Sequence, residues 1–303
     1  MSKSDRNPEL ILSRLEWTVL RRLEGYLQGD YRTLFRGSGL DLADLREYQY
    51  GDDVRHIDWN VTARLQQPYV RQYNEDRDIT IWFLLDVSPS MAFGSLRVTK
   101  LDLLVDFTAA MARLLTRHGN RVGAILFDGK GERLIPTAGG RNHVLYLVRS
   151  LLSLPSLPGS PATSLAELLR TAIRVARRRS LLFLVTDFLS LPGWVKPLAH
   201  LSQRHEVIAV RLLDPLEIEL PDLGLLAFRD AETGERLFVD THDRRFRSRF
   251  QTAAEQRERE LRACLLQAGI DALELSTTDD LGDSLLRFSQ ARKQQAMIAA
   301  GMR

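Results

Sequence analysis

Two runs of the chain are almost wholly apolar: Ile79-Thr80-Ile81-Trp82-Phe83-Leu84-Leu85 and Leu181-Leu182-Phe183-Leu184-Val185-Thr186. Short runs of this kind, rich in β-branched and aromatic residues, predict strands buried on both faces. Around them the pattern switches repeatedly between helical and strand periods. Residues 100–117, 141–153, 164–178 and 192–202 carry helical spacing, and 121–127 and 206–213 read as strands. A long helix from about Asp243 precedes a last strand at 270–275, and a further helix runs to about Met297. Asp128-Gly129-Lys130-Gly131 is a turn into Arg133-Leu134-Ile135, which predicts an antiparallel edge hairpin. This order predicts an α/β fold built on a doubly wound, mostly parallel sheet.

Three stretches depart from that rhythm. Residues 1–29 hold an amphipathic helix, from Pro8 to about Gln28, with Leu12, Leu15, Val19, Leu20, Leu23 and Leu27 near one face. Residues 30–78 are dense in charge, glycine and aromatics, and predict short strands and turns. Within the α/β region 79–303, residues 214–241 carry Pro215, Pro221, Gly224 and Gly234 and read as an inserted hairpin. A lone two-stranded hairpin is marginal in water. The hairpin is therefore expected to pair with, or pack on, residues 30–78 as one small β-rich subdomain.

Composition narrows the class. Of 303 residues, 44% are hydrophobic and 27% charged, as in a soluble globular protein. No apolar run approaches the roughly 20 residues that span a bilayer, and no signal-type segment follows Met1, so a cytoplasmic location is expected. The net charge of +3 does not single out nucleic acid. Arg177-Arg178-Arg179 reads as a solvated helix end, and the arginines at 244, 245, 247 and 249 are followed by Glu255, Glu258 and Glu260. Cys264 is the only cysteine, which excludes an internal disulfide, and its helical neighbours Leu261 and Leu265 make it a core thiol. No Gly-Lys-Ser/Thr phosphate loop, nucleophile elbow or His-Glu-x-x-His helix is present.

Candidate chemistry sits at the ends of the two apolar runs. Asp86-Val87-Ser88-Pro89-Ser90 places a carboxylate and two hydroxyls at alternate positions. Asp187 ends the second run, and Thr163 opens a helix after a Pro/Gly-rich loop. Singly, each residue is explained by a turn or a cap. Together they form an all-oxygen set suited to a hard cation, Mg2+ first, with Mn2+ or Ca2+ as alternatives. The set Asp86, Ser88, Ser90, Thr163, Asp187 resembles the metal-ion-dependent adhesion site of von Willebrand factor A domains. The resemblance implies a metal that coordinates a partner protein's carboxylate. Ser160-Pro161-Ala162 and Phe188 stand where such domains often have glycine.

Residues 37–64, from Gly37-Ser38-Gly39-Leu40-Asp41 through Arg46-Glu47-Tyr48-Gln49-Tyr50-Gly51-Asp52-Asp53-Val54-Arg55-His56-Ile57-Asp58-Trp59 to Arg64, form a charge lattice. Arg46, Arg55 and Arg64 can pair with Asp44, Glu47, Asp52, Asp53 and Asp58, and Tyr48 and Trp59 can anchor the lattice on the core. A structural clamp is the leading expectation, ahead of a docking surface, with catalysis by His56 and Asp53 or Asp58 third. This stretch resembles the hallmark of the bacterial domain of unknown function 58 family. That resemblance implies a von Willebrand A-like protein partnered with AAA+ ATPases of the MoxR type. The expected function is a non-enzymatic, metal-dependent protein-binding adaptor. A metal-dependent hydrolase using the same cluster, and a metal-free structural fold, are the alternatives.

Overall fold

The computed structural model describes residues 7–27, 44–49, 52, 54, 57, 59–72, 79–154, 163–229 and 236–301. The chain enters through α1 (Pro8–Leu15), a single π turn (Glu16–Leu20) and α2 (Arg21–Leu27). Asn7 caps α1 by accepting the Glu9 N–H, and Pro8 fills a first-turn position that needs no N–H. Ile11, Leu12, Leu15, Val19, Leu20 and Leu23 are buried on one stripe, as the periodicity predicts.

The signature region then gives β1 (Asp44–Glu47), α3 (Trp59–Leu65) and β2 (Tyr69–Gln72). β1 and β2 pair antiparallel, and Ile57 bridges Val70. Two expectations are corrected here. The stretch from Trp59 is helical, not a strand or turn, and Trp59 is 69% exposed, so it does not anchor on the core. Gln49 N–H donates to the Asp52 carboxylate, and Asp52 N–H donates back to the Gln49 carbonyl. Asp53, Arg55, His56 and Asp58, and with them the catalytic alternative, lie outside the described residues, as does all of 30–43.

The main sheet is built from β3 (Thr80–Asp86), β4 (Arg121–Phe127), β5 (Glu132–Ala138), β6 (Leu181–Thr186), β7 (Glu206–Leu213) and, last in the chain, β10 (Asp271–Ser276). Its order is β10-β7-β6-β3-β4-β5, parallel throughout except for β5, which returns antiparallel on β4. The chain starts at the centre with β3, builds outward to β5, then crosses back to β6 and builds the other way. The strand order therefore reverses between β3 and β6, where ligands of open α/β sheets bind.

Helices cover both faces. α4 (Lys100–Arg117), α5 (Arg141–Leu152) and α9 (Leu281–Gly301) join the N-terminal helices on one face; α6 (Leu165–Val175), α7 (Val195–Arg204) and α8 (Arg244–Ala268) cover the other. Alternate strand residues feed the two cores. Ile81, Phe83 and Leu85 point to the α4 side with Phe183 and Val185; Trp82 and Leu84 point to the α6 side with Leu182 and Leu184. Phe83 stacks on Phe183 at 5.3 Å, with Phe107 edge-on to the same ring. Each such side chain, fully removed from water, contributes about 1.5–3 kcal/mol. This packing, independent of any ligand, fixes the strand ends.

The inserted segment forms a hairpin of β8 (Leu225–Arg229) and β9 (Arg236–Asp240). It does not join the sheet of β1 and β2. Of the two arrangements expected, pairing is not the one observed: the two pairs are separate two-stranded sheets among the described residues. α7 also starts later than the pattern suggests. Gly193 takes φ +109° and Trp194 is buried beside Phe188, so 192–194 form a packed corner instead of a helical turn.

Candidate functional site

The five residues singled out in the sequence are brought to the carboxyl edge of the sheet at the β3/β6 reversal. Asp86 is the last residue of β3 and is buried. One of its oxygens accepts the Ser88 N–H at 3.1 Å and the other accepts the Thr186 hydroxyl at 2.7 Å. Ser88 then stands at the N-cap position of a 3-10 turn, Pro89–Ala92, with the proline at a position that needs no donor. That turn carries Ser90 back toward the strand ends. The Ser88 and Ser90 hydroxyls lie 3.1 Å apart, and Ser90 Oγ donates to Asp187 Oδ2 at 2.9 Å. Asp187, one residue past β6, takes the Leu189 N–H on its other oxygen.

Thr163 forms the third corner. It is buried, and its carbonyl accepts from Leu191 N–H at 2.9 Å and Ser190 Oγ at 3.0 Å. Ser190 Oγ in turn accepts the Leu165 N–H at the start of α6. The loop after β6 is thereby stapled to the entry of α6. Ser90, Thr163 and Asp187 line a common cleft of about 800 Å³, whose walls are the β6 loop, the end of β7 and α8. Phe93, Leu189, Leu191, Trp194, Ile218 and Leu261 make much of that wall apolar.

Phe188 holds the loop in an unusual shape. Its φ of +61° is a left-handed conformation that glycine adopts freely and that costs other L-residues about 1–2 kcal/mol. Burial of its ring, 5.4 Å from Trp194, offsets that cost. Phe188 therefore holds a glycine-type backbone conformation.

Two participants escaped sequence reasoning. Lys100, the first residue of α4, is fully buried, and its ammonium donates to Asp187 Oδ2 and to Glu217 Oε1, each at 2.6 Å. Burial pulls a lysine pKa down, but the two carboxylates outweigh it and raise Lys100 above its ordinary value, so it is charged. A signal existed: Thr99-Lys100-Leu101-Asp102 is a capping box, observed at α4, and a cation at a helix start opposes the dipole. Glu217 likewise closes a capping box with Asp214 on the 3-10 turn Pro215–Glu217.

The electrostatics leave Asp86 without a cation. Burial, and the neighbouring charge of Asp187, push its carboxyl up to about 6, against the hydrogen bonds from Ser88 and Thr186. Asp86, Asp187 and Glu217 against the single Lys100 leave two negative charges, which is the charge of one divalent ion. With the Ser88 and Ser90 hydroxyls interposed, this donor set fits a hard cation. No three His, Cys, Asp or Glu side chains form a metal-type cluster among the described residues, so any such ion would rely on the hydroxyls.

The family described as Protein of unknown function DUF58 matches residues 44–260. An uncharacterised protein of Mycobacterium tuberculosis is 36% identical over 287 residues, 94% of this chain and 90% of its own length. The uncharacterised protein YeaD of Bacillus subtilis is 27% identical over 109 residues, 36% of this chain and 25% of its own length. Among solved structures, an aerotolerance-related membrane protein from Bacteroides fragilis is 14% identical with a TM-score of 0.47, covering 71% of this chain and 99% of its own. BatB from Bacteroides thetaiotaomicron is 16% identical with a TM-score of 0.45, covering 72% and 98%. A VWA domain, that of SpRpn10, is 11% identical with a TM-score of 0.39, covering 70% and 95%. No helix among the described residues is long and apolar enough to cross a membrane.

Proposed function

We propose, for a chain that belongs to the DUF58 family, a function as a metal-dependent protein-binding adaptor that makes and breaks no covalent bond. One observation carries the reading: Asp86, Ser88, Ser90 and Asp187 form a continuous hydrogen-bonded oxygen cluster that opens, beside Thr163, into a largely apolar cleft. A bound Mg2+ would be held by these residues and would supply an attachment point for a partner's carboxylate. The apolar wall would take the partner's neighbouring side chains. The partner class suggested by the family resemblance is an AAA+ ATPase of the MoxR type, with the pair acting in assembly or maturation of other proteins.

Hydrolysis is the weaker reading, because the cluster holds no group placed as a general base: Lys100 is charged and both aspartates are taken up by hydroxyl and amide donors. A metal-free fold is favoured by one observation, the ammonium already resident on Asp187.

The test is co-precipitation of a purified MoxR-type ATPase with this protein, in Mg2+ and in EDTA, for wild type and Asp86→Ala. Binding that needs Mg2+ and disappears in the variant is expected. Binding indifferent to both would overturn the metal-dependent reading.

A further inference from the structure

Lys100 stands at the first position of α4, where the helix dipole disfavours a cation, and it is fully buried. Only strong partners justify such a placement. Its two partners differ. The Asp187 side chain is as completely buried as the lysine, whereas that of Glu217 is 23% exposed on the cleft wall. The contested atom is Asp187 Oδ2, which accepts from Ser90 Oγ and from the ammonium together. The oxygen that faces the candidate ligands is therefore already paired with a positive charge.

We propose that Lys100 is an internal competitor for the divalent cation, resident on Asp187, and that Glu217 is its second seat. The inference rests on the metal-dependent reading of the cluster and assigns its regulation. An ammonium and a divalent ion sharing one carboxylate in a buried site repel each other strongly. Glu217 supplies a carboxylate on which the lysine stays paired when it gives up Asp187, so the lysine need not leave the interior uncompensated. The site is thereby set to weak cation affinity. A partner that contributes a carboxylate adds the negative charge that tips the balance, which ties cation loading to the arrival of an acidic partner residue.

The experiment is titration of the full chain with Mn2+ alone, followed by electron paramagnetic resonance of the free ion, for wild type, Lys100→Met and Glu217→Gln. Lys100→Met is expected to bind Mn2+ at least about tenfold more tightly, and Glu217→Gln at least about threefold more weakly, since the first removes the competitor and the second confines it to Asp187. Adding Asp86→Ala to Lys100→Met should abolish the binding, which places it at this cluster. Binding by Lys100→Met alone also supports the competitor, while overturning a metal requirement in the wild type. If wild type binds and Lys100→Met binds equally or less, the competitor is overturned and the metal-dependent reading stands. If neither protein binds Mn2+, both fall. Should Lys100→Met not fold, Glu217→Gln decides: affinity equal to or above wild type overturns the proposal.

Discussion

Two buried aspartates at the same edge of the sheet have opposite fates. Asp214 follows β7, and Asp86 ends β3; both are almost wholly removed from water. Asp214 takes hydrogen bonds from Ser95 N–H and Oγ, Thr277 Oγ1 and Leu216 N–H, at 2.7–3.0 Å. Burial raises its pKa, but these donors outweigh the burial and hold it below the ordinary value. Asp86 has donors from only two residues, Ser88 and Thr186, and a like charge beside it, and is pushed up instead. Burial does not decide whether a carboxylate is a structural tie or a binding group. The number of neutral donors and the sign of the nearest charge decide it.

The contrast is broken most directly by truncation. Asp214→Ala is expected to cost about 3–5 kcal/mol in urea unfolding, because it strips the acceptor from several buried donors at once. Asp86→Ala, measured without metal, should change stability by less than about 1 kcal/mol in either direction, since its loss also removes repulsion with Asp187. Equal losses in the two variants would erase the distinction.

Acid sharpens it next, in EDTA-treated protein. Between the unfolded value near 3.8 and about 6, the folded chain holds a proton on Asp86 that the unfolded chain has lost. Stability from this group therefore falls as pH rises through that window, by up to roughly 3 kcal/mol, and is level above it. Asp86→Asn should remove that decline. Asp214 works in the other direction: its contribution is present above the unfolded value and is lost as pH falls through its depressed folded value. A wild-type profile unchanged by Asp86→Asn would place the charge strain elsewhere.

Metal comes third. At a Mn2+ concentration 100 times the dissociation constant, wild type should gain about 2.7 kcal/mol, read as a rise in melting temperature, and Asp86→Ala should gain nothing, while an Asp214 variant that still folds keeps the gain. The smallest effect is at Ser190, whose hydroxyl ties Thr163 to the β6 loop and accepts from α6. Ser190→Ala should cost about 1 kcal/mol and weaken Mn2+ binding, because it loosens the one corner that the sheet does not hold. Unaltered binding would remove Thr163 from the candidate ligand set.

What could be read in the sequence follows from where each residue sits. β3 and β6 were legible because both of their faces are buried, and Asp86, Ser88, Ser90 and Asp187 were legible because they stand where those strands stop. Lys100 was not, because a lysine opening an amphipathic helix reads as solvated even within a capping box; its contacts across 87 and 117 residues, to Asp187 and Glu217, identify its role. Asp214 looked like the start of a loop, since its partners come from Ser95 and Thr277, on either side of it in the chain. α3 was misread because its apolar residues, Trp59, Val61, Ala63 and Leu65, alternate with polar ones in the period of a strand, and Trp59 and Leu65 are exposed, so no buried helical stripe marks it. The two small sheets do not pair among the described residues: marginal hairpin stability requires a partner for β8 and β9 but does not specify which one.

The crossing from β5 back to β6 also sets an order of events during synthesis. A nascent chain ending near Leu154 already contains β3, β4, β5, α4 and α5, whose mutual contacts are local enough to form early. Yet Asp86 must then wait for Thr186, Ser90 and Lys100 for Asp187, each separated by between 87 and 100 residues. At translation rates of about 5–20 residues per second, that interval lasts on the order of 5–20 seconds. During it a lysine and an aspartate destined for the interior must stay hydrated, so the exposed edge of β3 cannot close over them. The β3 edge of the cleft is therefore sealed only once β6 has been made, and slow synthesis or a stalled ribosome before that point would leave the central strand open to the wrong neighbour.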